Sequence, residues 1–181
     1  MPREIAFVDR NVDDLPTFLA GLRPELDPIL LSDDEPALSQ IARLVRCRDG
    51  LDAIHVVAHG RVGEVSFGAG ALCLESLAGH AADLSAIGRA LGKDGKLLLW
   101  SCQTAAGARG SAFVEALESA TGAEVRAATG TIGSQALGGR WELDVSSGKE
   151  TVAAPLTARG MAGYAGVWPS QKGLAHRNHD G

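Results

Sequence analysis

Five short apolar runs, separated by amphipathic stretches, set the limits on how this chain can fold. The runs are residues 5–8, 28–31, 53–58, 96–100 and 124–127. Ile5-Ala6-Phe7-Val8 and Leu97-Leu98-Leu99-Trp100 are apolar throughout, the pattern of strands buried on both faces. Between the runs lie helical patterns. Leu15, Phe18, Leu19 and Leu22 follow Asp13 and Asp14; Leu38, Ile41, Leu44 and Val45 follow Ser32-Asp33-Asp34-Glu35-Pro36. Leu77, Leu84, Ile87 and Leu91 mark a third helix over 75–91, and Phe113, Val114 and Leu117 a fourth over 107–120. Spacings of three and four place these side chains on one face, and Asp, Ser and an early Pro are helix-start signals. Strand and helix alternating in units of roughly 25 residues predict an α/β fold, with a mostly parallel sheet and helices on both faces.

Three stretches break the alternation. Val65-Ser66-Phe67, Gly68-Ala69-Gly70 and Leu72-Cys73-Leu74 read as a hairpin around a glycine turn. Trp141 to Val145 alternates like an edge strand, on which Glu142 and Asp144 are solvated charges. After about residue 150 the periodicity is lost. The expected organisation is one domain over 1–150 and an extension over 151–181, ending in a polar, frayed tail from Pro169 to Gly181.

The 181 residues suit a single domain. With 45% hydrophobic residues but only 4% aromatic, the core has to be built from Leu, Val, Ile and Ala. A net charge of −5 without a basic run argues against nucleic acid as a partner. No apolar stretch approaches the about 20 residues of a membrane span. Met1-Pro2-Arg3-Glu4 lacks the apolar segment of a cleavable signal peptide, so the expected location is cytoplasmic or reached by a C-terminal export signal. Cys47, Cys73 and Cys102 cannot all pair, and none stands in a CxxC, which excludes a disulfide scaffold or zinc ribbon. His176 and His179 are remote from other ligands. No metal or cofactor is expected, and the chain is expected to be a monomer.

In open parallel sheets, reactive groups gather where strands end at their carboxyl edge. Two predicted strand ends carry such groups: Ala58-His59-Gly60 and Ser101-Cys102. Brought together, the His59 imidazole takes the Cys102 proton and the thiolate attacks a carbonyl, with the N–H groups of Gly60 and Cys102 as an oxyanion hole. The bland alternative is that Cys102 is a small hydrophobe and His-Gly a strand terminator. Asp9 ends the first strand and is a candidate pocket residue, as are Ser101 and Gln103 beside the thiol. His55 lies on the same strand face as His59 and reads as a hydrogen-bonded core histidine; Cys47 and Cys73 read as structural. The glycine-rich stretch 130–139 either flanks a substrate cleft or is simply a long loop.

Ile54-His55-Val56-Val57-Ala58-His59-Gly60 and Leu97-Leu98-Leu99-Trp100-Ser101-Cys102-Gln103-Thr104-Ala105 resemble the histidine and cysteine motifs of caspase-like cysteine peptidases, the group of caspases, gingipains, legumain and separase. A wider set of stretches runs from Phe7-Val8-Asp9 through Leu51-Asp52-Ala53, Gly107-x-x-Gly110-x-x-Phe113 and Thr121-Gly122-Ala123 to Gly138-Gly139-Arg140-Trp141-Glu142-Leu143. It resembles a bacterial domain family of unknown function found near the N-terminus of large cadherin- or RTX-type repeat adhesins. The resemblance implies a caspase-like three-layer sandwich, a His59/Cys102 dyad with Gly60 in the oxyanion hole, and a peptide or protein substrate, the chain itself included. It departs from that family at Ala58 and Ser101, where Ser and Gly are more frequent. Thr157-Ala158-Arg159-Gly160 and the stretch from Trp168 to Gly181 are the expected internal targets. The alternative is a catalytically silent folding or interaction module.

Overall fold

The computed structural model describes residues 3–145 and 151–168. The chain opens with β1 (Glu4–Asp9), α1 (Leu15–Ala20), β2 (Asp27–Leu31), α2 (Ala37–Val45) and β3 (Leu51–Val57). Three short strands follow, β4 (His59–Arg61), β5 (Glu64–Phe67) and β6 (Gly70–Cys73), then α3 (Leu74–Leu77), a 3-10 turn and α4 (Ala81–Ala90). The remainder is β7 (Leu91–Trp100), α5 (Gly107–Thr121), β8 (Glu124–Arg126), β9 (Ile132–Gly133), α6 (Ala158–Gly163) and β10 (Val167–Trp168).

All five predicted apolar runs are strands of one sheet, in the order β2-β1-β3-β7-β8, every pair parallel. Side chains alternate between its faces. Ile5, Phe7, Ile54, Val56, Leu97 and Leu99 meet the buried residues of α2, α4 and α5. Ala6, Val8, Val57, Leu98 and Trp100 meet α1 and residues between 141 and 164. With helices on both faces, this is a three-layer α/β sandwich. β3 is buried except at Asp52, and β7 is buried from Leu97 to Trp100, which is why these runs lack alternation. β2 lies at an edge, where Pro28 removes a ladder donor.

The 61–75 region forms the predicted hairpin, β5 with β6 turning at Gly68-Ala69, and gains a third strand in β4. The single helix expected over 75–91 is divided by the 3-10 turn Ala78–His80, and Leu91 belongs to β7. Residues 141–145 do not form the expected edge strand; one antiparallel bridge joins Val145 to Ala127. The Asp144 carboxylate accepts the Thr129 N–H at 2.9 Å, taking a donor that a longer ladder would use.

Beyond residue 150 the chain is anchored rather than irregular. Pro155 O accepts the Arg23 N–H at 2.8 Å, and Leu156, Tyr164 and Val167 are buried. Thr157 caps α6 through the Gly160 N–H at 2.9 Å. The expected internal target Thr157–Gly160 is therefore a helix start, not an extended segment. The expected tail from Pro169 onward, with His176 and His179, lies outside the described residues.

Candidate functional site

The carboxyl ends of β3 and β7 are in register, Val57 opposite Trp100, and the Ala58 N–H donates to the Trp100 carbonyl. His59 and Cys102 each follow that pair by two positions, on adjacent strand exits. After Ala58 the chain turns into β4, whose second residue presses on the turn that carries Cys102. A Cβ on Gly60 would stand 2.6 Å from the Cys102 carbonyl oxygen and 2.8 Å from the Ser101 Cβ, so only glycine fits there.

The Cys102 turn is tied on every side. The Thr104 hydroxyl donates to the Glu64 carbonyl at 2.9 Å, so Ser101 Oγ is the donor in the 2.6 Å bond between the two hydroxyls. The Gly63 N–H donates to Thr104 O at 3.0 Å. Gln103 N–H donates to Gly130 O at 2.8 Å, and Ala105 N–H to Ala128 O at 3.0 Å. Gln103 itself sits at φ 58°, in the left-handed region that a non-glycine residue occupies only at a cost. The candidate nucleophile is thus followed by a strained residue in a tightly held turn.

His59 is held from the opposite side. Its Nε2 lies 2.7 Å from the Asn11 carbonyl oxygen, which can only accept, so Nε2 carries the proton. Nδ1 is then the lone-pair nitrogen, buried and without a hydrogen-bond partner. Asp9, almost fully buried, braces the loop that supplies this carbonyl. Its Oδ1 accepts from both Asn11 N and Asn11 Nδ2 at 2.9 Å, and its Oδ2 accepts from Gly68 N at 2.9 Å. Asp9 therefore acts on His59 through the Asn11 backbone.

The Cys102 thiol is fully buried beneath the loop leading into β9. Its sulfur accepts the Ile132 N–H at 3.2 Å and lies 3.7 Å from the Ile132 carbonyl oxygen. Residues 128–144 also border two depressions. One, of about 180 Å³, lies against Thr129, Gly130, Arg140 and Asp144; the other, of about 740 Å³, lies between Gln135, Trp141 and Met161.

The structure thus brings His59, Gly60, Ser101, Cys102 and Gln103 to the neighbouring exits of β3 and β7, with Asp9 at the end of the adjacent strand β1. Two participants escaped sequence reasoning, the Asn11 carbonyl and the Ile132 backbone, because main-chain atoms leave no side-chain signature. His55 is buried and bonded on both ring nitrogens. The Trp100 indole N–H donates to Nδ1 at 3.0 Å, which leaves Nε2 to donate to Glu4 at 2.8 Å. That hydrogen bond, aided by Arg23 and opposed by burial, pulls the Glu4 carboxyl down to about 2. Cys47 is exposed, and Cys73 is half-buried beside Ser76. Among the described residues no group of three or more His, Cys, Asp or Glu side chains is placed to hold a metal ion, and no helix is long and apolar enough to cross a membrane.

A family model described as "Domain of unknown function (DUF4347)" matches residues 5–168. No curated protein and no solved structure matches the chain.

Proposed function

The chain belongs to this family of domains of unknown function, and from that premise we propose that it is a cysteine-peptidase-type domain in which Cys102 is the nucleophile and His59 the base. One observation carries the reading: the His59 ring is fixed in the tautomer that catalysis needs. The Asn11 carbonyl holds the Nε2 proton, leaving Nδ1 as a buried acceptor nitrogen with no hydrogen-bond partner, on the strand exit next to that of Cys102. A base must present a lone pair and be oriented by a third group. Here a backbone carbonyl braced by Asp9 supplies the orientation.

In the proposed reaction the Cys102 proton passes to His59 Nδ1, and the thiolate adds to the carbonyl carbon of a peptide bond. The oxyanion is met by the backbone N–H groups of Gly60 and Cys102, and His59 returns the proton to the leaving amine. Water then attacks the thioester, again deprotonated by His59, and releases the acid and free Cys102. The resemblance of the strand-His-Gly and strand-Cys stretches to caspase-like peptidases supports the same assignment. Its likeness to N-terminal domains of repeat adhesins suggests processing within a large surface protein.

A second reading has its own observation. The thiol is fully buried, as expected for a silent folding or interaction module with a disused site. Peptidyl chloromethyl ketones with different side chains next to the reactive carbon separate the two. The peptidase reading expects covalent labelling that is lost in both Cys102→Ala and His59→Ala. Failure of every probe to label the folded protein, with the thiol covered or uncovered, favours the silent module.

A further inference from the structure

We propose that β10 is a latch that keeps Cys102 covered, and that its release from β9 uncovers the thiol; the consequence for activity rests on the reading of Cys102 as nucleophile. The cover over the sulfur is the Ile132 backbone, and Ile132 with Gly133 is the whole of β9. β9 is held from outside by β10, with Val167 opposite Gly133 and Trp168 opposite Ile132, both antiparallel. The Ser134 N–H extends the contact by donating to Gly166 O at 2.8 Å. The two backbones touch: a Cβ on Gly133 would stand 2.5 Å from Gly166 O and 2.7 Å from the Val167 Cα. Just before β10, the buried Tyr164 donates its hydroxyl to the Asp13 carbonyl and so fastens this segment to the loop before α1.

The cover and the thiol are anchored separately. The Cys102 turn is secured by Ala128 and Gly130 at the root of the loop and by Glu64 and Gly63 on the other side. Residues 131–133 can therefore lift about Gly130 while Cys102 stays in place. What opposes lifting is a ribbon of two residue pairs with the Ser134 N–H to Gly166 O bond, the inner bonds from Arg140 N to Thr131 O and Gly133 N to Arg140 O, the Ile132 N–H to Cys102 sulfur bond and the buried Ile132 side chain. Two-stranded ribbons this short are marginal by themselves and belong to the least stable class of element. A strand of two residues thus controls access to the thiol.

The test is the rate at which iodoacetamide alkylates Cys102 in the full chain carrying Cys47→Ser and Cys73→Ser, well below its melting temperature. Val167→Asp places a charge at the latch, whereas Leu84→Ala destabilises the opposite face of the sheet. Tyr164→Phe loosens the latch with little change of volume. Local opening predicts alkylation faster by on the order of tenfold in Val167→Asp and a few-fold in Tyr164→Phe, with Leu84→Ala close to the parent. Equal rates in the parent and in every latch variant that folds would overturn the latch, as would a rise in Leu84→Ala matching theirs. Should Val167→Asp not fold, Tyr164→Phe decides alone. Faster iodoacetamide alkylation without His59-dependent labelling by peptidyl ketones keeps the latch and removes the peptidase reading. Ketone labelling of the parent with unchanged iodoacetamide rates removes the latch alone.

Discussion

The two faces of the sheet are built on different principles. One is covered by α2, α4 and α5, with Leu38, Ile41, Leu84, Ile87 and Leu117 packed on Ile54, Leu97 and Leu99, and its three rings, Phe7, Phe67 and Phe113, are set among these aliphatic side chains. The other is covered by the short helices α1 and α6 and by connecting chain. It holds a cluster of mutually contacting rings: Phe18, Trp100, Trp141 and Tyr164 lie with neighbouring ring centroids 5.6–6.5 Å apart. The same face holds the Arg23–Glu4–His55–Trp100 hydrogen-bonded chain and Cys102. The helical face also buries Gln40 of α2, but the longer buried hydrogen-bonded chain is on the aromatic face.

The comparison breaks first on stability. Phe113→Ala, on the helical face, should cost about 3–5 kcal/mol by removing a fully buried ring and leaving a cavity. Tyr164→Phe, on the other face, should cost about 1 kcal/mol, the value of one hydrogen bond. Denaturant midpoints measure both, and equal losses would erase the distinction.

How far the sequence revealed the molecule follows the same division. The sheet and the helical face were legible because a strand buried on both sides is a continuous apolar run and its crossover helices show one apolar stripe. The division of the third helix at Ala78–His80 was not, since Leu77, Leu84 and Ile87 keep helical spacing across the turn. α6 and β10 were invisible because six and two residues are too few for a period. They are placed instead by backbone bonds such as that of Arg23 N to Pro155 O. At the rim, His59, Gly60 and Cys102 could be named from their strand ends. The carbonyl that orients His59 and the amide that covers Cys102 became visible only once the loops were placed.

Gly60→Ala probes the joint between the two exits. With backbone and Ser101 Cβ in the way, it should destabilise by about 2 kcal/mol and displace the Cys102 turn. Calorimetry with amide exchange at Gln103 measures both. An acid titration addresses the polar chain on the aromatic face. Glu4 titrates near 2 in the folded protein against 4.5 in an unfolded chain, so its contribution is complete above about pH 5 and is lost as pH falls through that window. About 2 kcal/mol should disappear between pH 5 and 2, and Glu4→Gln should flatten that part of the curve. The smallest effect is at Gln103. Its left-handed backbone should be relieved by Gln103→Gly, raising stability by about 0.5 kcal/mol, whereas Gln103→Val should lower it, both read from melting temperature.

The central claim is that His59 accepts the proton of Cys102, and the ratio of Cys102 alkylation rates at pH 6 and pH 8 tests it most directly. Taking the ratio within each variant, in the Cys47→Ser, Cys73→Ser background, cancels differences in access. An ordinary thiol titrating near 8.5 loses nearly two orders of magnitude of thiolate between pH 8 and pH 6, and the rate falls with it. With His59 in place the rate should fall less than about threefold, and in His59→Ala it should show the full decline. The same steep decline in both proteins would contradict the dyad and leave Cys102 as a buried structural thiol.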